Sequence, residues 1–135
     1  MMNTIFENEY IRVNIGDDNR VLEVVGKQTC DDFQIIKELL SIIEQCVKET
    51  HVEKIIFQLD GFNTVGDDTF IYAEFLPYLG KFGVNQIAVI TGKNQKTKVF
   101  FEELGHYLSL VRKQYHIDSR LFETTNECFR WMETI

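Results

Sequence analysis

Long apolar runs are missing from this sequence. None exceeds five residues, against the roughly 20 that a helix needs to cross a bilayer. The first residues, Met1-Met2-Asn3-Thr4-Ile5-Phe6-Glu7, hold neither a basic leader nor an apolar stretch, so no signal peptide is expected. Runs of basic residues are missing too. Lys93, Lys96 and Lys98 are the nearest approach, in a chain of net charge −7 and pI about 4.9. That balance excludes a general nucleic-acid binder and favours, if anything, a basic partner surface. Cysteine is scarce: Cys30, Cys46 and Cys128 are odd in number, widely spaced and without a Cys-x-x-Cys pair. A disulfide framework and a zinc site are thereby excluded, and a reducing, cytoplasmic compartment is expected.

Catalytic motifs are absent in the same way. Gly92-Lys93-Asn94 lacks the first glycine and the hydroxyl of a P-loop, and no Gly-x-Gly-x-x-Gly follows any strand. There is no Gly-x-Ser-x-Gly elbow. His51, His106 and His116 are scattered, with no second ligand at metal-binding spacing. No nucleophile–base pair can be assembled, so the expectation is a non-enzymatic protein with no catalytic residue, no metal and no cofactor.

What is present is the balance of a globular domain. Hydrophobic residues make up 44% and charged residues 26% of the 135, enough for one core and one domain over 1–135. The stretch 55–69 stands at its centre. Ile55-Ile56-Phe57-Gln58-Leu59 is apolar and β-branched and reads as a buried strand, roughly 54–60. Asp60-Gly61 stops it, and Gly66-Asp67-Asp68-Thr69 opens a second apolar-periodic segment at Phe70. A central strand that ends in a polar loop and feeds a helix is where α/β domains place functional groups.

The other elements follow in order. Residues 10–15 alternate in period two, Gly16-Asp17-Asp18-Asn19 forms a turn, and 21–25 returns as a strand, so a β-hairpin is expected. Thr29-x-x-Asp32 offers an N-cap with an acidic partner. Phe33, Ile36, Leu40, Ile43 and Val47 then recur at helical spacing, with His51 at the end. Helix two begins near Asp67 or Asp68. Pro77, the sole proline, is expected to kink or end it, with Gly80 to Gly83 as the exit. Residues 86–90 form a strand, Asn94 caps a third helix, and 116–122 form the last strand. Thr124-x-x-Glu127 is a capping box for a final helix carrying Cys128, Trp131, Met132 and Ile135. The fold class is therefore α/β: an N-terminal β-hairpin, then alternating helices and strands, in a mixed, mostly parallel sheet of about five strands with about four helices.

A hairpin, then Gly-x-x-Thr-x-x-Asp-Phe opening a helix, then a strand ending in Leu59-Asp60-Gly61, resembles the STAS superfamily of anti-sigma-factor antagonists. The closing Arg120-Leu121-Phe122-Glu123-Thr124 with Trp131 beyond it is similar to the ending of its small stand-alone bacterial branch, which is grouped with lipid-transfer-like domains. The resemblance covers nearly the whole chain. In the partner-switching members the strand-to-helix loop carries a serine that an anti-sigma-factor kinase phosphorylates. Aligning Leu59-Asp60 and Val65 puts that serine at Asp67, so the phosphoacceptor is replaced here and Thr64 and Thr69 are the hydroxyls left in the loop.

The resemblance implies a regulatory module that binds a protein partner, an anti-sigma-factor-like kinase or another regulator. Its loop 61–69 is the switch, through Asp60, Thr64, Gly66, Asp67, Asp68 and Thr69. Phe62, Phe70, Tyr72 and Phe75 would then form an adjoining docking surface. The alternative is a carrier for a small apolar or lipid-like ligand, with those aromatics lining a pocket beside helix two. A homodimer through the hairpin edge or a helix face stays open.

Overall fold

The computed structural model describes residues 2–17, 19–28, 32–58, 76–90 and 117–133. Among these residues six strands form one sheet in chain order: β1 (Met2–Glu7), β2 (Ile11–Gly16), β3 (Val21–Gly26), β4 (Lys54–Gln58), β5 (Gln86–Ile90) and β6 (Asp118–Phe122). β1, β2 and β3 are antiparallel; β3 to β6 are parallel. Three helices lie among the described residues: α1 (Phe33–Thr50), α2 (Leu76–Lys81) and α3 (Thr125–Glu133). The expected α/β architecture is present, with one strand more than the sequence pattern suggests. The expected third helix, from Asn94 to Val111, lies outside the described residues.

The added strand is β1, and its own irregularity hides it. The register passes from Thr4 opposite Asn14 to Phe6 opposite Val13, so Ile5 is an extra residue in a β-bulge. The bulge breaks the period-two alternation that marks a strand in a sequence. It returns Phe6 to the core while Ile5 stays 43% exposed.

Helix boundaries show what the capping residues decide. The cap of α1 is Asp32, not Thr29: the Asp32 carboxylate accepts from the Gln34 amide at 2.9 Å. Both residue types cap well, but aspartate adds a negative charge at the positive end of the helix dipole. The helix ends on His51, in the left-handed region at φ 56, whose amide donates to the Val47 carbonyl at 3.0 Å. The expected start of helix two near Asp67 lies outside the described residues; α2 holds Pro77 in its first described turn, where a proline is tolerated, and runs to Lys81. Its exit is a Schellman motif on Gly83 at φ +93. The Val84 amide donates to the Leu79 carbonyl and the Gly83 amide to the Gly80 carbonyl, both at 3.3 Å. Leu79 and Val84, the hydrophobic pair that usually accompanies this motif, are both buried.

Alternation along the strands splits the apolar residues between two faces. On the first, Val13, Leu22, Val24, Ile55, Phe57, Ile87 and Val89 pack against Leu39, Ile43 and Val47 of α1 and Leu79 of α2. On the second, Ile56, Ala88 and Ile90 pack against Cys128 and Trp131 of α3. β4 and β5 are thus covered on both sides, as parallel strands between helical layers must be. No described helix is long and apolar enough to cross a membrane.

Candidate functional site at the carboxyl edge of the sheet

The parallel strands β4, β5 and β6 end together, at Gln58, Ile90 and Phe122. β4 lies between β3 and β5; after its end at Gln58 the segment 59–75 follows in sequence, and the chain is next described at α2. Asp60, Phe62, Thr64, Gly66, Asp67, Asp68, Thr69, Phe70, Tyr72 and Phe75 all lie in that segment, outside the described residues. Their frame is described: a central strand buried on both faces delivers the segment at Gln58.

Gln58 makes one contact that sequence spacing could not reveal. Its Nε2 donates to the Thr125 Oγ1 at 3.3 Å, across 67 positions of sequence. Thr125 is the first residue of α3, so the end of β4 is tied to a helix N-terminus on the second face. The cap of that helix is the expected one. The Thr124 hydroxyl accepts from the Glu127 amide at 3.3 Å and donates to the Glu127 carboxylate at 3.0 Å. In a full capping box the carboxylate would accept from the Thr124 amide; here it accepts from the hydroxyl.

The last turns of α3 are held by aromatic contacts. The Trp131 ring centroid is 5.6 Å from that of Phe122, and the Arg120 guanidinium lies 5.2 Å over the Trp131 ring. Cys128, beneath the helix, is fully buried; burial, and then the charge of Glu23, push its thiol up to about 11. Cys46 is shifted upward for the same first reason. Both thiols therefore stay protonated near neutrality and act as core residues, the role their helical spacing suggests. Cys30 lies outside the described residues.

Two polar arrangements were not legible from spacing. A ladder crosses the antiparallel strands on the second face: the Thr4 hydroxyl donates to Asn14 Oδ1 at 2.8 Å, and Asn14 Nδ2 donates to the Glu23 carboxylate at 2.9 Å. The pairing of Asn14 with Glu23 follows from the hairpin register, but Thr4 joins only through β1. At the carboxyl edge, Lys27 Nζ bonds Glu7 at 3.0 Å and the Asn8 carbonyl at 2.8 Å, clasping the end of β1 to the end of β3. That hydrogen bond, and then the lysine's charge, hold the Glu7 carboxyl below its usual range.

Among solved structures, the anti-sigma factor antagonist SpoIIAA in its unphosphorylated form matches over 100% of this chain and 98% of its own, with a TM-score of 0.56 and 12% sequence identity. The chain has the STAS fold. At that identity the likeness is one of architecture. No family model matches the sequence, and none of the curated proteins does.

Proposed function

We propose that this STAS domain, spanning 1–135, is a non-enzymatic regulatory module of a bacterial cytoplasm. It docks a protein partner through the loop 61–69 and the residues that follow. The observation that supports this reading most is the end-to-end likeness to an anti-sigma-factor antagonist. The sequence of the loop supplies the specific content, because Asp67 stands where the resemblance implies a phosphoacceptor serine. A phosphoserine brings about −1.5 to −2 charges, whereas Asp67 brings a permanent single one on a shorter side chain. Position 67 is therefore held in one charge state, which no kinase sets and no phosphatase reverses. The partner surface that accepts Asp67 is basic or donor-rich, in keeping with the net charge of −7.

Affinity capture from the native cell, comparing wild type with Asp67→Ser and Asp67→Lys, tests the proposal. A partner whose recovery falls at least about tenfold with Asp67→Lys and changes with Asp67→Ser establishes the loop as the docking surface. Equal recovery across the three proteins would remove the loop from that role and leave Asp67 as a helix cap. The carrier reading has less in its favour. The described residues Phe6, Phe57, Phe82 and Phe122 are packed into the two cores. Mass spectrometry of an organic extract of the purified protein is the test for that reading.

A further inference from the structure

Among the described residues the sheet has two outer strands, β1 and β6, and they differ in what they offer another chain. β1 carries the bulge at Ile5, a device that twists an edge away from further pairing. β6 is regular: Asp118 to Phe122 run in unbroken register with Gln86 to Ile90 of β5. The Asp118 amide donates to the Asn85 carbonyl at 2.8 Å, so it points inward to β5. Backbone groups alternate sides along a strand, which turns the N–H and C=O of Ser119 and Leu121 outward.

Asp118 and Arg120 lie on the second face of this strand, with side chains 32% and 57% exposed. Within the chain their closest approach is 3.9 Å, long for an ion pair, and Arg120 is held over Trp131. Charges on an edge strand ordinarily deter other strands. Their order here makes one pairing an exception. An added antiparallel strand of the same sequence must set outward groups against outward groups. With Ser119 opposite the partner's Ser119, Asp118 faces the partner's Arg120 and Arg120 faces the partner's Asp118. A shift of two residues in either direction instead sets Asp118 against the partner's Asp118, or Arg120 against the partner's Arg120. These charged positions are the non-hydrogen-bonded ones, where opposing side chains come closest. The charge pattern thus selects a single register.

We propose that two copies of this chain form a two-fold dimer by antiparallel pairing of β6 with β6, in the register centred on Ser119 and set by reciprocal Asp118–Arg120 ion pairs. The two sheets join into one, and the two carboxyl edges point to opposite ends of it. The interface uses no residue of 61–69, so it and the proposed docking site stand or fall separately.

Sedimentation over a concentration series, with amide hydrogen exchange, tests the dimer. Wild type is expected to show a monomer–dimer equilibrium, with the Ser119 and Leu121 amides exchanging more slowly as concentration rises. Arg120→Glu and Asp118→Arg each set like charges opposite one another twice, and each weakens association about tenfold or more. The double variant Asp118→Arg/Arg120→Asp reverses both pairs and restores it. A wild-type monomer throughout the series would overturn the proposal. So would a dimer indifferent to both reversals, or one in which the exchange of Ser119 and Leu121 does not depend on concentration. The exchange measurement is made on the wild type, so it decides the matter even if a charge reversal unfolds the chain.

Discussion

At the scale of single residues, Gln86 carries the most unusual burden. It is 3% exposed at the start of β5, between Lys54 and Asp118 in register, and neither side-chain amide atom has a hydrogen-bond partner among the described residues. A buried amide left unsatisfied costs about 1–3 kcal/mol. Gln86→Met keeps the unbranched shape and removes the polar atoms, so urea unfolding is expected to give a stability gain of about 1 kcal/mol or more. A loss instead would mean that the amide has a partner, most simply a bound water. Residue-scale features like this were only partly legible. Gln86-Ile87-Ala88-Val89-Ile90 reads as a strand at sight, but nothing in it distinguishes a satisfied glutamine from an orphaned one. Asp32 and Thr29 are both good caps by type, and the choice between them depends on where Phe33 enters the helix. The ten residues of the proposed switch and docking surface are legible only by resemblance, since loop chemistry has no periodicity to read.

At the scale of elements, α3 has nine residues, too short to persist without its packing. Its hold on the sheet is Cys128 beneath and Trp131 at the far end, against Phe122 and Arg120. Trp131→Ala is expected to cost about 3–5 kcal/mol, the range for a large buried aromatic. Circular dichroism should follow it, because Trp131 is the only tryptophan and its fluorescence goes with it. A cost below about 1 kcal/mol would show that α3 is held mainly by its cap and by Gln58. The stripe and the capping box of this helix are visible in the sequence. Its attachment to the end of β4 is not, because Gln58 and Thr125 lie 67 positions apart and meet only in the folded chain. The exit of α2 is the complementary case: Gly80 to Gly83 mark it by composition, and the helix stops where Gly83 supplies a left-handed residue.

At the scale of the whole molecule, stability is concentrated at the middle of the sheet. β4 lies between β3 and β5 and is covered on both faces, with Ile55 and Ile56 essentially inaccessible. β1 is an outer strand with mostly exposed side chains. Native-state hydrogen exchange is therefore expected to find the Ile56 and Phe57 amides opening only with global unfolding, and those of β1 at least about tenfold less protected. Equal protection of β1 and β4 would mean that the sheet unfolds as one piece. The alternation of strands and helices made this layered centre legible, whereas β1 was concealed by its bulge. The order β1 to β6 across the sheet is also the order in which a ribosome delivers the strands. No strand has to be inserted between two that have already met; each joins a border that is waiting for it. Synthesis from the N-terminus can thus extend the sheet stepwise, as domains that fold during translation do. The border still open when Phe122 emerges is the youngest part of the sheet, so an assembly that closes it is among the last events in the life of a new chain.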